Sequence, residues 1–324
     1  TVSWNAGLDF PLLKGRLNGS LDVYKKITKD LLVSRELPNL IGYSTVMSNI
    51  GEVQNHGVEL SLNSTNIKMK NLTWRTSFSF AYNKNKITHL YGIMEDIKDE
   101  AGNVIGQKEA DDIKNKRFIS HDIDEIWDYK VVGIWQEEDR EEAAKYGQQP
   151  GDVHLLDVDG NGSYTNEDKV FQGTKTPRFR WNMRNEFTLF KNLTFSFSMY
   201  SYLGHKQTLG RFTNDNALLN VTNQIKREYW TPENRNNEYP RLASKKPSGV
   251  TYAIYKNASF LRFDNISLGY SFPKRLIEPL KIQALNINAT MKNAGYISNW
   301  PGYDPENSDK NTPRIIYFGI NLTL

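Results

Sequence analysis

Residues 178–203 constrain the fold more than any other part of the chain. Apolar and polar residues alternate on both sides of a reversal at Lys191 and Asn192, which is typical of strands with two unlike faces. The pattern predicts a β-hairpin whose arms, roughly a dozen residues each, are long enough for a tilted membrane crossing of about 9–11 residues. We expect one face to meet lipid and the other to meet a lumen. The lipid face is expected to contain Phe179, Trp181, Phe195 and Phe197, and the lumen face Arg180, Arg184 and Glu186.

The same alternation recurs along the chain and predicts an all-β fold of about nine antiparallel strands. Short connections alternate strictly with long ones, as in up-and-down outer-membrane barrels with short periplasmic turns and long extracellular loops. An odd number of strands that begins in mid-sheet predicts further strands before Thr1, because single-chain bacterial barrels have even numbers. The predicted strands cover residues 2–13, 16–27, 53–65, 72–83, 178–189, 193–203, 258–272, 284–296 and 313–324.

Glycine and proline shape the first long connection. Pro38, Gly42 and Gly51 interrupt the strand pattern there, because proline removes a backbone donor and glycine weakens a strand interior. We therefore expect residues 28–52 to lie outside the sheet.

Two later connections carry expectations of their own. The charged region 87–176 is predicted to project outward as a long loop, with a short surface helix within residues 137–147 and one short strand within residues 131–136. Residues 214–230 have apolar positions at helical spacing behind a capping residue, which predicts one amphipathic helix.

Composition excludes several other classes of protein. The chain has a mean hydropathy of −0.62 and contains no apolar run near the ~20 residues of a transmembrane helix. Its 41 basic and 37 acidic residues are dispersed, without the basic clusters that mark a nucleic-acid-binding surface. The absence of cysteine argues against a small secreted scaffold held by disulfides.

Several segments, falling in order along nearly the whole chain, carry a family resemblance. They read NIGEVQNHGVELSLN, DYKVVGIWQ, PGDVHLLDVDGNGSYTNEDKVFQGTKTPRFRWNMRNEF, REYWTPENRNNEYPRL, NASFLRFDNISLGYSFP and GYDPE. In these segments the chain resembles the C-terminal part of a SusC/RagA-like, TonB-dependent outer-membrane transporter of Bacteroidetes type.

This resemblance implies a place in a larger molecule. Residues 1–324 would be part of a transmembrane β-barrel domain of about 22 strands, with the N-terminal strands, the plug domain and the TonB-coupling segment lying outside them. The implied protein is not an enzyme. It imports nutrients, either oligosaccharides or peptides, across the outer membrane of a Gram-negative cell. Its implied partners are a SusD-like surface lipoprotein and the TonB complex.

One motif predicts a metal site. Residues 157–168, DVDGNGSYTNED, fit the calcium-loop pattern D-x-[DN]-x-[DN]-G with a carboxylate at the twelfth position. The closing residue is Asp instead of the longer Glu, which should weaken bidentate coordination. The alternative is a turn rich in Asx and glycine that orders itself without Ca²⁺. The predicted ligands are Asp157, Asp159, Asn161, Ser163, Thr165 and Asp168.

Aromatic residues suggest two further roles. Tryptophans in the predicted loops either stack on sugar rings or pack within the loops, and packing is the favoured reading. Aromatic residues in the strands suggest belts at the membrane interfaces. The loop tryptophans are Trp127, Trp135, Trp230 and Trp300, and the belt candidates are Trp74, Trp181, Tyr200, Tyr202, Tyr270 and Tyr296.

Two functions compete with the importer. A soluble, secreted all-β binding module or adhesin stabilised by calcium would need a second sheet to cover the apolar strand faces. A glycan-cleaving enzyme would need a positioned pair of carboxyl groups, which the sequence does not display.

Overall fold

A computed structural model describes residues 1–36, 45–209, 228–242, 244–307 and 310–324. Within these ranges, nine strands form one antiparallel sheet whose spatial order follows the chain. The prediction of about nine antiparallel strands is therefore confirmed. The sheet consists of β1–β4, β11, β12 and β15–β17. The strands are β1 (Val2–Leu12), β2 (Leu17–Glu36), β3 (Thr45–Lys68), β4 (Leu72–His89), β5 (Met94–Lys98), β6 (Val104–Glu109), β7 (Glu125–Tyr129), β8 (Val131–Ile134), β9 (Val153–Leu155), β10 (Lys169–Thr174), β11 (Phe179–Leu189), β12 (Leu193–Leu203), β13 (Lys206–Thr208), β14 (Tyr255–Asn257), β15 (Phe260–Ser271), β16 (Ala284–Ser298) and β17 (Ile315–Thr323).

The predicted hairpin of β11 and β12 is present, and its turn is centred on Phe190 and Lys191, one residue earlier than predicted. Phe190 and Lys191 have φ angles of 52° and 69°, and the N–H of Asn192 donates to the carbonyl of Leu189 at 3.1 Å. Positive φ at both central residues matches the right-handed twist of the flanking strands. The reversal therefore sets β11 against β12 in register, with Met183 opposite Met199.

The expectation that residues 28–52 lie outside the sheet is wrong. β2 continues to Glu36 and β3 begins at Thr45, and the two strands stay paired through a register irregularity between Thr28 and Leu32. Gly51 pairs with Leu31 within this irregularity, and a glycine inside a strand often marks a bulge of this kind. Pro38 and Gly42 lie outside the described residues.

The two faces of the sheet differ as predicted. Cross-strand register places Phe179, Trp181, Phe195 and Phe197 on one face, which we call the apolar face. The opposite face, which we call the polar face, carries Arg180, Arg184 and Glu186. The apolar face extends across the whole sheet, because the same register links Leu8 and Leu21 at one edge to Phe318 and Ile320 at the other.

Most of the buried core lies outside the main sheet. Its largest cluster joins residues of the long connections, among them Tyr129, Val153, Leu155, Trp230 and Trp300. By contrast, side chains on the apolar face are exposed to as much as 73% for Trp4 and 81% for Phe318. A sheet that leaves such a face uncovered needs an apolar environment outside the chain.

The long connections contain more structure than the sequence indicated. The predicted short helix is present as α1 (Arg140–Lys145), and the predicted short strand as β8. β5 pairs with β6, β7 with β10, β8 with β9, and β13 with β14, and these pairs were not predicted. A second helix, α2 (Lys274–Ile277), lies between β15 and β16. The amphipathic helix predicted for residues 214–230 falls almost wholly outside the described residues.

None of the helices in the described part of the chain has the length and hydropathy needed to cross a membrane.

Candidate functional site

The predicted calcium loop brings three carboxylates together. An oxygen atom of each of Asp157, Asp159 and Asp168 lies within 4.8 Å of the others. Asp168 is fully buried, and its Oδ1 accepts from the N–H of Val158 at 2.8 Å while its Oδ2 accepts from the N–H of Thr165 at 2.7 Å. The closing carboxylate is thus fixed in place by backbone donors.

The other three predicted ligands make local hydrogen bonds. Asn161 Oδ1 accepts from the N–H of Ser163 at 2.8 Å and from its hydroxyl at 2.6 Å. The hydroxyl of Thr165 accepts from the N–H of Glu167 at 3.1 Å and caps a 3₁₀ turn over Asn166–Asp168. These contacts are those of a turn that orders itself. The hydroxyl of Thr165 keeps a lone pair for a cation, whereas Asn161 Oδ1 already accepts two hydrogen bonds and would have to give one up.

Hydrogen bonding also sets the charge of Asp157. Burial alone would raise the pKa of this carboxyl, but hydrogen bonds from the N–H of Gly162, the hydroxyl of Tyr146 and the N–H of Gly160 outweigh burial and lower it. Burial and the neighbouring Asp157 in turn raise the pKa of Tyr146 to about 12. Asp157 is therefore an anion at neutral pH, as a Ca²⁺ ligand must be.

Three of the four loop tryptophans are unavailable for stacking on a sugar. Trp135, Trp230 and Trp300 are only 3%, 4% and 7% exposed and pack inside the connections. Trp127 is half-buried beside Phe118, with a ring separation of 5.0 Å, and beneath the ammonium group of Lys169. The packing interpretation of the loop tryptophans is the one that the structure supports.

A hollow of about 430 Å³ indents the polar face near the end of the sheet that carries the long connections. Register places Glu59, Ala81, Arg180 and Tyr202 side by side on four adjacent strands. Small side chains form its floor, and the guanidinium of Arg180 lies 5.4 Å from the ring centroid of Tyr202 at its side. The floor consists of Ser61, Ser79 and Ala81, and the sides include Glu59, Arg180, Asn182, Tyr200 and Tyr202.

Only half of the belt candidates lie on the face that could contact lipid. Trp74, Trp181 and Tyr270 lie on the apolar face, where Trp74 stacks on Phe187 at a ring separation of 5.4 Å. The remaining three candidates lie on the polar face and cannot contact lipid from there. These are Tyr200, Tyr202 and Tyr296.

A meander of long antiparallel strands, with one largely apolar face and its long connections at one end, defines a class of protein. It is the wall of a bacterial outer-membrane β-barrel. The family model "TonB dependent receptor-like, beta-barrel" matches residues 1–294. The chain belongs to this family of outer-membrane receptors, which are not enzymes.

Named relatives agree with the family assignment. The chain is 31% identical over 343 residues to the "TonB-dependent receptor SusC" of Bacteroides thetaiotaomicron, covering 100% of this chain and 32% of the relative. It is 29% identical over 313 residues to the "TonB-dependent receptor P3" of Formosa agariphila, covering 94% of this chain and 30% of the relative. The chain thus spans about a third of the length of these relatives.

A solved structure shares the fold. The chain superimposes on the "RagAB peptide transporter" with a TM-score of 0.71, covering 99% of this chain and 35% of the transporter chain at 22% identity. Together with the family match, this decides against a soluble secreted binding module.

Proposed function

We propose that the chain forms part of the barrel wall and outer loops of an importer that takes up oligosaccharides or peptides across the outer membrane. The apolar face carries the proposal, because it continues over all nine strands of the described sheet and is matched by a polar face with hydrogen-bonding side chains. The hollow beside Arg180 and Tyr202 offers a cation, a carboxylate and phenol rings to a passing ligand. The RagAB structure that shares the fold is a peptide transporter, and this supports peptides as one class of cargo.

The proposed importer extends beyond these residues. In the described part of the chain, β1 and β17 are the two edges of the sheet. Unpaired backbone groups at an edge are costly in hydrocarbon, so a membrane-spanning sheet must close. We expect further strands to complete a barrel of about 22, around a plug domain that couples to TonB. A SusD-like lipoprotein would cover the outer mouth.

Uptake by living cells tests this function. Three strains are compared. One lacks the gene for the full-length protein, one is the same deletion strain with the gene restored, and one lacks TonB. All three grow on a mixture of polysaccharide and protein digests, and mass spectrometry follows individual oligosaccharides and peptides in the medium. We expect the molecules that persist with the deletion strain to persist also with the strain lacking TonB, and to be depleted by the complemented strain. Equal depletion by all three strains would contradict the proposal.

We further propose that residues 157–168 bind one Ca²⁺ that stabilises the outer loop. The convergence of three carboxylates at the spacing of a calcium loop supports this assignment. The ion would be held by oxygen ligands at about 2.3–2.6 Å. Its role would be structural, since it lies in a connection and away from the hollow on the polar face.

Removing Ca²⁺ is expected to loosen this loop. Chelator should increase proteolysis within residues 140–176, and Asp157→Ala combined with Asp159→Ala should do the same and abolish the further effect of chelator. Asp99→Ala is the matched control, because Asp99 orders a similar turn through the N–H groups of Ala101 and Asn103 at 3.0 and 2.8 Å. This control should keep the full effect of chelator. Cleavage that is indifferent to chelator and to the double substitution would show that the turn orders itself without Ca²⁺.

A further inference from the structure

A buried arginine joins the sheet to the last long connection. Arg262 of β15 is only 2% exposed, and its Nη2 donates to Oδ1 of Asp304 at 2.5 Å. Its Nη1 donates to Oδ1 of Asn293 at 2.5 Å, and its Nε lies 2.8 Å from Oε2 of Glu306 as an ion-pair contact. Asp304 and Glu306 both belong to the connection between β16 and β17, so one guanidinium holds two carboxylates of the same segment.

Aromatic rings surround this ion pair. The guanidinium of Arg262 lies 5.5 Å from the ring centroid of Phe260 and 5.2 Å from that of Tyr296. The hydroxyl of Tyr200 donates to Oε2 of Glu306 at 2.6 Å. Rings of this kind exclude water and stabilise the cation through their faces. Together they make the ion pair part of a packed structure and not a solvated surface contact.

Residues 303–306, which we call the inward segment, are held by other strands as well. The hydroxyl of Tyr296 donates to the carbonyl of Tyr303, and Nε2 of Gln207 donates to the carbonyl of Pro305 at 2.6 Å. Asp304 and Pro305 are almost completely buried. The inward segment is therefore fixed by contacts from β12, β13, β15 and β16.

A long connection is expected to project outward from the sheet, but the inward segment turns back over the sheet. Tyr200, Arg262 and Tyr296 lie in one cross-strand row on the polar face. A segment bound to this row bends over the polar face, toward the side that also carries the hollow. Tyr200 belongs to both structures, since it lines the hollow and binds Glu306.

The charge on Asp304 favours a permanent contact. Burial would raise the pKa of this carboxyl, but its hydrogen-bond donors and the Arg262 guanidinium outweigh burial and lower it. A lowered pKa stabilises the folded protein above the pKa of the unfolded carboxyl, and this stabilisation is lost as the pH falls through the folded value. Asp304 is therefore charged and paired at neutral pH, and removal of Arg262 would leave a buried charge without compensation.

We propose that the inward segment is a fixed part of the inner barrel wall, and that Arg262 is the positioning residue that holds it beside the hollow. The segment does not open as a lid. Through Glu306 it orients Tyr200, and so it sets the width of the path past the hollow. The assignment of the polar face to a ligand path rests on the proposed function, whereas the docking of the segment does not.

Distances between two spin labels test the proposal in the full-length transporter. One label is placed at Asn307→Cys, which is exposed next to the inward segment, and one at Lys191→Cys, which is exposed at the opposite end of the sheet. The 324 residues contain no native cysteine to interfere, and any thiol elsewhere in the protein is replaced first. We expect one narrow distance distribution that stays unchanged when the oligosaccharides and peptides identified by the uptake experiment are added.

Substitutions distinguish a positioning role of Arg262 from a general contribution to the stability of the protein. Arg262→Met should broaden the distribution at least twofold, and Arg262→Lys should restore part of the narrow component, because lysine keeps the charge but not the planar fork. Arg184→Met is the matched control on the same face and should leave the distribution unchanged. If the Arg262→Met protein does not assemble, Glu306→Gln is tested in its place. This substitution keeps the shape of the side chain and removes one carboxylate, and it should also broaden the distance distribution.

Two results would overturn the proposal. A narrow distribution in Arg262→Met would show that the arginine does not hold the segment. A distribution that shifts when ligand is added would show that the segment is a lid. Failure of TonB-dependent uptake would contradict the proposed function, but the distance distribution would remain narrow and dependent on Arg262. A failure of the proposed function can therefore be told apart from a failure of the proposed docking.

Discussion

Replacing Met183 with arginine is expected to lower the stability of the assembled barrel strongly. Met183 is the fifth of eleven residues in β11 and lies on the apolar face between Phe78 and Met199. An arginine that faces lipid near the bilayer midplane costs about 2–4 kcal/mol. This is a large share of the roughly 5–15 kcal/mol that stabilises a typical folded domain. Urea titration of the full-length protein in lipid vesicles, followed by its protease resistance, measures the loss.

The neighbouring residue provides the matched control. Asn182 is exposed on the polar face, and its cross-strand neighbours are Ser79 and Tyr200. Asn182→Arg therefore places the same charge in an aqueous lumen and should change the unfolding free energy by less than about 0.5 kcal/mol. Equal losses in the two variants, or a larger loss for Asn182→Arg, would contradict the assignment of the two faces.

Replacing Trp230 with alanine is expected to unfold the packed outer connections while the sheet remains intact. Trp230 is 4% exposed in the largest core cluster, and its indole N–H donates to Oε1 of Gln136 at 3.0 Å. The ring packs so closely on Gly151, at φ +87°, that a Cβ there would come within 2.5 Å of it. Truncation of a buried tryptophan to alanine costs about 3–5 kcal/mol. Limited proteolysis of intact cells, which exposes only the outer loops to protease, measures the effect.

The adjacent Tyr229 is the control for this experiment. Its side chain is 42% exposed, so Tyr229→Ala removes a ring of similar size without opening a cavity in the cluster. Loop cleavage should increase only in Trp230→Ala, and the barrel of both variants should resist heat and protease equally. If Trp230→Ala were as resistant as Tyr229→Ala, the core assigned to the connections would be wrong.

The alternation of residue types predicted the sheet well for a physical reason. Side chains in a strand alternate between the two faces of the sheet every two residues. The sequence of β11 and β12 therefore indicates both that the hairpin forms and which residues lie on each face. The same alternation also places Tyr200 and Tyr202 with Ser196 and Ser198 on the polar face. The belt prediction overlooked this signal and followed residue type instead.

Simple alternation predicts the wrong face for a residue where the strand departs from regular pairing. In β15 the apolar positions Ile266 and Leu268 would put Arg262 on the apolar face by simple alternation. The register shifts by one residue between Phe263 and Asn265, and this shift turns Arg262 to the polar face. A bulge of this kind has no reliable sequence signal, and the contact of Arg262 with Asp304 spans 42 residues.

The central claim is that the apolar face of the sheet meets lipid and the polar face meets an aqueous lumen. Single spin labels along β11 and β12 of the full-length protein in vesicles test it, with dissolved oxygen as the lipid-soluble quencher and a nickel chelate as the aqueous one. We expect labels at Phe179, Trp181, Phe195 and Phe197 to respond to oxygen, and labels at Arg180, Arg184 and Glu186 to respond to the nickel chelate. Accessibility to the nickel chelate at Phe195 together with accessibility to oxygen at Arg184 would contradict the claim.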